Sequence, residues 1–133
     1  MKVESLDHVN IITDDIDSAA QFYVAVFGLE RRDGPPPLTP QMVQWMYDAS
    51  GRAIIHLNTQ LAPKAYERPT PSGAVTGAVH HVALRCTGHA EMAARLAEHG
   101  LDHRHNHVES IGLHQIFVQD PNGVLFELNF FGD

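Results

Sequence analysis

One cysteine, Cys86, stands alone in 133 residues, so no internal disulfide can staple this chain. Basic residues are few and scattered: nine Lys and Arg against sixteen Asp and Glu give a net charge of -7, which argues against nucleic acid as a partner. No apolar run approaches the ~20 residues of a membrane span, and the N-terminus carries no signal-like apolar core. The expected setting is therefore the cytoplasm, with no membrane partner. What remains is the length of one ordinary domain, 44% hydrophobic and 19% charged, enough to bury about two-thirds of its unfolded surface. The one excess is histidine: there are ten, most of them explicable as surface residues.

The pattern that organises the chain is an internal repeat. Asp7-His8-Val9-Asn10-Ile11 opens an apolar run, and His80-His81-Val82-Ala83-Leu84 does so again. Asp48-Ala49-Ser50-Gly51 leads into Ile54-Ile55-His56-Leu57-Asn58, as Asp120-Pro121-Asn122-Gly123 leads into Leu125-Phe126-Glu127-Leu128-Asn129. The offsets agree: 73 residues from His8 to His81, 72 from Gly28 to Gly100, and 71 from His56 to Glu127.

A strand is expected over Ser5–Thr13, then a helix with acidic residues at its start and Ile16, Ala20, Tyr23 and Phe27 at helical spacing, stopping at Gly28. Gly34-Pro35-Pro36-Pro37 reads as loop, and strands over Met42–Asp48 and Arg52–Asn58 join through Ala49-Ser50-Gly51. Residues 59–77, with three prolines and two glycines, read as a linker between module one (about 4–58) and module two (about 78–130). In module two, Ala78–Cys86 precedes a helix bearing Met92, Ala93, Leu96 and Ala97 that stops at Gly100. Strands over His103–Val108, Leu113–Gln119 and Val124–Phe130 follow. Each half is therefore βαβββ, giving an α+β chain with helices outside a cupped mixed sheet.

Strand alternation puts His8 with Asn10, His56 with Asn58, His81 with Arg85, and Glu127 with Asn129, each on the more polar face of its strand. An ionised Glu in mid-strand is costly unless paired or metal-bound. Imidazole and carboxylate suit Zn, Ni, Co, Mn or Fe, so His8, His56, His81 and Glu127 are the candidate ligands of one shared divalent ion.

His8-Val9-x-Ile11, the helix with Phe22-Tyr23 and Phe27-Gly28-Leu29, and Asp120-Pro121-Asn122-Gly123 followed by Glu127 resemble the vicinal oxygen chelate superfamily. That group includes glyoxalase I, methylmalonyl-CoA epimerase, fosfomycin-resistance proteins, bleomycin-binding proteins and extradiol dioxygenases. The resemblance runs from Leu6 to Phe130 and implies the same four ligands. It also implies a metal that chelates two neighbouring oxygens of a small substrate, and assembly as a homodimer, with the cup formed within one chain or between two. Three departures bear on the reaction. His56 stands where glyoxalase I-like proteins carry Glu, leaving a divalent site at about +1 and without a second carboxylate to move protons. Phe117 stands ten residues before Glu127, where extradiol enzymes commonly carry Tyr. Asn10 stands where fosfomycin-resistance proteins often carry Thr. Lyase or isomerase chemistry is the favoured expectation, with an extradiol Fe(II) dioxygenase and a metal-free binder of the bleomycin-resistance kind as alternatives.

Beyond ligation, Glu127 and His56 are candidates for catalysis, as is His114 at the start of the seventh strand. Arg85 is suited to a substrate carboxylate or phosphate, or else to an ion pair with an acid. Asn10, Asn58 and Asn129 are candidates to orient ligands or substrate. Trp45 and Tyr47 supply an apolar wall, with at least one expected in the core. His80 is expected to point away from His81 as a structural residue. His103, His105 and His107 alternate along one face and read as an edge strand rather than a metal site. Cys86 reads as a small buried residue.

Overall fold

A computed structural model of the chain describes residues 1–66 and 68–132. It divides into two compact units, Met1–Ser72 and Gly73–Asp133. The first runs β1 (Val9–Ile12), α1 (Ile16–Ala25), β2 (Glu30–Asp33), β3 (Val43–Tyr47) and β4 (Ala53–Asn58); the second runs β5 (Val82–Cys86), α2 (His89–Glu98), β6 (His103–Val108), β7 (Leu113–Gln119) and β8 (Leu125–Phe131). The sheets are ordered β1-β4-β3-β2 and β5-β8-β7-β6, the same permutation twice. In each, the first strand runs parallel to the last and the other pairs are antiparallel. Two βαβββ modules are thus present, as the repeat predicts.

Alternation fixes the two faces of each sheet. In β4, Ile55 and Leu57 are buried while Ile54, His56 and Asn58 are half-buried. In β8, Phe126, Leu128 and Phe130 are buried while Glu127 and Asn129 are half-buried. Helix α1 packs on β2, β3 and β4 and buries Ile16, Ala19, Ala20, Phe22 and Tyr23. Asp15 caps that helix by accepting from the Ser18 N–H at 3.0 Å, which satisfies one of its orphan donors. Gly28, with φ 71°, ends it in the left-handed conformation that glycine tolerates best.

The turns before β4 and β8 are built alike. Asp48 Oδ1 accepts from the N–H groups of Ser50 (2.9 Å) and Arg52 (3.0 Å). Asp120 Oδ1 accepts from those of Asn122 (2.9 Å) and Val124 (2.8 Å). Gly51 and Gly123 follow at φ 81° and 82°. The Arg52 and Ser50 donors hold the Asp48 carboxyl below the usual carboxylate range, chiefly through the Arg52 backbone. Its contribution to stability is accordingly present above the unfolded value and lost as pH falls through the lowered one. Asp120 is the more buried of the two. Asp120→Ala strands two N–H groups and is expected to cost about 1–3 kcal/mol in urea unfolding; an unchanged midpoint would remove the turn from the factors setting the β7–β8 register.

Two strand starts and one unforeseen strand depart most from expectation. The strands expected from Ser5 and Ala78 begin only at Val9 and Val82, where pairing with their parallel partners begins at Ile55 and Phe126. The repeat requires a second strand in module one that the residues themselves do not announce. It is Glu30–Asp33, paired antiparallel with β3.

Candidate metal centre

In the first unit, the β1–β4 register sets Asn10 opposite His56, and His8, two residues before Asn10, comes onto the same face. The His8 and His56 rings stack with centroids 3.7 Å and planes 11° apart. Trp45, opposite His56 across β3–β4, stacks on it at 4.1 Å and 11°. His56 therefore lies between two rings. Its pKa is lowered first by burial and then by the neighbouring His8, which favours the neutral imidazole that a metal requires. The Asp7 carboxylate lies 2.6 Å from His8 Nδ1. A carboxylate can only accept, so Nδ1 carries a proton, and in the neutral ring Nε2 is then the nitrogen with the lone pair. This carboxylate–imidazole arrangement is the usual outer support of a ligating histidine.

The second unit repeats the relation. Ala83 is opposite Glu127 across β5–β8, and His81 precedes Ala83 by two residues. His81 Nε2 lies 3.0 Å from Glu127 Oε2. The other carboxylate oxygen accepts from Gln115 Nε2 at 2.6 Å. The same nitrogen donates to Asn129 Oδ1 at 3.1 Å, and Asn106 Nδ2 donates to Gln115 Oε1 at 2.7 Å. Gln115 is the site residue that sequence reasoning passed over. The signal was available in the turn: a hairpin closing at Asp120–Gly123 puts Phe117 opposite Glu127 and Gln115 opposite Asn129.

The remaining candidates divide. Asn58 is half-buried, and its Oδ1 is buried with no hydrogen-bond partner among the described residues; Asn10 is exposed. Arg85 lies on the Glu127 face, exposed, with its guanidinium 4.6 Å from the Phe131 ring centroid. Among the described residues no acid forms an ion pair with it. Neither Trp45 nor Tyr47 is in the core; both are half-buried on the His56 face, with Arg32 4.2 Å over the Tyr47 ring. His114 is a correction: it is opposite Phe130, on the side of Ile116 and Val118, while Glu127 faces the other way. A one-residue change of parity exchanges faces, so the unit does not bring His114 to Glu127. His80 also differs from expectation, since it is exposed and its Nδ1 lies 3.0 Å from that of His81. Among the described residues no three His, Cys, Asp or Glu side chains converge as a metal-binding group; each unit presents two of the four expected ligands.

Cys86 is half-buried, and burial raises its thiol to about 11. At pH 8 its thiolate fraction is then about two orders of magnitude below that of an ordinary cysteine. Iodoacetamide labelling of the native chain is expected to be slower by about that factor than labelling in urea. Equal rates would show an accessible, unshifted thiol.

The pattern described as the Glyoxalase/Bleomycin resistance protein/Dioxygenase superfamily matches residues 5–128. A curated relative, Glyoxylase I 4 of Arabidopsis thaliana, is 27% identical over 131 residues, spanning 96% of this chain and 71% of the relative. Three solved structures are alike in fold. A glyoxalase/dioxygenase from Nostoc punctiforme has a TM-score of 0.69 at 17% identity, covering 97% of this chain and 92% of that one. Lactoylglutathione lyase from Agrobacterium tumefaciens has 0.64 at 21%, covering 98% and 96%. The fosfomycin resistance protein FosX from Listeria monocytogenes has 0.66 at 16%, covering 97% and 94%. With its βαβββ repeat and a family match over nearly its whole length, the chain belongs to the glyoxalase/bleomycin resistance protein/dioxygenase superfamily.

Proposed function

We propose that this chain is a divalent-metal-dependent enzyme acting on a small oxygenated substrate, held through two neighbouring oxygens, by lyase or isomerase chemistry. His8, His56, His81 and Glu127 together ligate one ion of Zn, Ni, Co, Mn or Fe. The observation that carries the reading is the repeated pair: His8 with His56, and His81 with Glu127, at matching positions of two matching registers. The donor chemistry supports it, because His8 keeps Nε2 free through Asp7, His56 favours the neutral form, and Glu127 is held by Gln115. Asn58 Oδ1, buried and without a hydrogen-bond partner among the described residues, is an acceptor that a bound water or substrate hydroxyl would satisfy. Bound, the ion supplies Lewis-acid stabilisation of negative charge developing on the substrate oxygens. Arg85 is the group suited to a substrate anion, and Asn10 and Asn129 are suited to orienting it.

A second reading has one observation in its favour. His56 stacked between His8 and Trp45, if it stays there, leaves His8, His81 and Glu127 as the three-ligand set of an Fe(II) extradiol dioxygenase. Against it, Phe117, opposite Glu127, has no hydroxyl to act as an acid. Anaerobic reconstitution with each metal, followed by oxygen uptake on a catechol panel, separates the two. No metal is expected to give oxygen uptake on these catechols, and rapid iron-dependent uptake would establish the dioxygenase instead. We further propose a homodimer in the cytoplasm, and a monomeric mass by light scattering would remove the dimer alone.

Gln115→Leu tests the support given to Glu127. Loss of an outer hydrogen-bond partner lowers metal affinity by about 10–100-fold, and chelator competition is expected to read a change of that size. An unchanged affinity would reduce the contact to packing.

A further inference from the structure

We propose that the α2 side of the second unit carries a separate site for a borderline divalent cation of the Zn²⁺ class, formed by His89, His105 and His114 with His103 and His107 flanking them. The β6–β7 register puts His103 opposite Val118, His105 opposite Ile116 and His107 opposite His114. All four strand histidines thus share the face turned away from Glu127, and His89 opens α2. Their rings form one row. His89 lies 5.6 Å from His105 and 4.8 Å from His114, centroid to centroid. His103 lies 5.0 Å from His105, and His107 stacks on His114 at 4.1 Å and 1°.

Edge position alone explains a polar β6, because edge strands are kept from pairing by polar side chains. It does not explain why two other elements bring imidazoles into contact with it. Two imidazoles on one ion at ~2.0–2.1 Å place their centroids about 4.5–5.3 Å apart at octahedral or tetrahedral angles. Within the proposed set the His89–His114 separation already lies in that range and His89–His105, at 5.6 Å, lies just beyond it, while the flanking His103 is within it of His105. The nitrogens do not yet converge on one point, so binding requires ring rotations. These are open to side chains that are exposed (His105, His107) or half-buried (His89, His103, His114), and such rotations are fast beside backbone rearrangement. A row of imidazoles without carboxylates selects Zn²⁺, Ni²⁺ or Cu²⁺ over Mg²⁺ or Ca²⁺.

The site is independent of the metal centre proposed above, and the test keeps them apart. Metal-stripped chain is loaded with Zn²⁺ at pH 7.5, and metal retained after gel filtration is counted in wild type, His89→Gln/His105→Gln, and His81→Gln/Glu127→Gln. Wild type is expected to hold about two equivalents and each double variant about one. Equal retention by wild type and His89→Gln/His105→Gln would overturn the proposal. Equal retention by wild type and His81→Gln/Glu127→Gln would instead count against the catalytic centre. Should the edge variant unfold, imidazole nitrogen shifts in the wild-type chain decide. Zn²⁺ should move the His89, His105 and His114 signals in the His81→Gln/Glu127→Gln background, and unmoved signals would end the proposal.

Discussion

Glu127→Gln is expected to strip the divalent ion from the proposed catalytic centre and, with it, turnover. The substitution preserves shape and removes the charge, so the hydrogen-bonding partners around β8 stay supplied. What it deletes is the one anion among the four proposed ligands, the other three being imidazoles. The loss of affinity should exceed the about 10–100-fold cost of removing an outer partner, because a first-contact donor is lost together with the charge that offsets the ion's. Elemental analysis of both proteins, purified without chelator, reads it directly, with the edge histidines replaced in each so that only this centre is counted. Equal metal in the two would take Glu127 out of the ligand set. Metal in the unsubstituted centre should also fall with pH as the imidazoles protonate, and His56, held down by burial and by His8, should need a lower pH than an ordinary histidine.

Phe126→Ala is expected to give the largest loss of stability. Phe126 is fully buried on β8, which lies between β5 and β7 in the second sheet. Truncating a buried Phe costs about 3–5 kcal/mol in lost transfer energy and residual cavity, a large share of a total of about 5–15 kcal/mol. Its neighbour Glu127 points to the opposite face of the same strand, so relaxation of β8 into the cavity would also shift the carboxylate away from Gln115. Urea unfolding should show the lower midpoint, and metal affinity should fall with it. A midpoint within experimental error of wild type would mean that the helix-facing side of this sheet is not the core.

The parts of the fold that could be read in advance are those where hydrophobic alternation and turn chemistry agree. β6 and β7 occupy the expected residues because each ends at a glycine or aspartate turn. Glu30–Asp33 gave no such signal: Glu-Arg-Arg-Asp has nothing apolar to alternate. It is held instead by the β3 ladder and by polar contacts of Arg31 with Gln44 and Asp17. At the site, parity along one strand sufficed to place His56 and Glu127 on the polar faces. Cross-strand register was needed for the rest. Without it His114 stood as a candidate acid/base, Gln115 was given no role, and Trp45 and Tyr47 were divided between wall and core although both line the His56 face.

An anomalous-scattering map from crystals of the chain grown with Co²⁺, collected at the cobalt edge, tests the four-ligand centre most directly. A peak bonded to His8, His56, His81 and Glu127 at about 2.0–2.2 Å is the expected result. A map with cobalt bonded to none of these four, in crystals where the edge histidines bind it, would contradict the assignment.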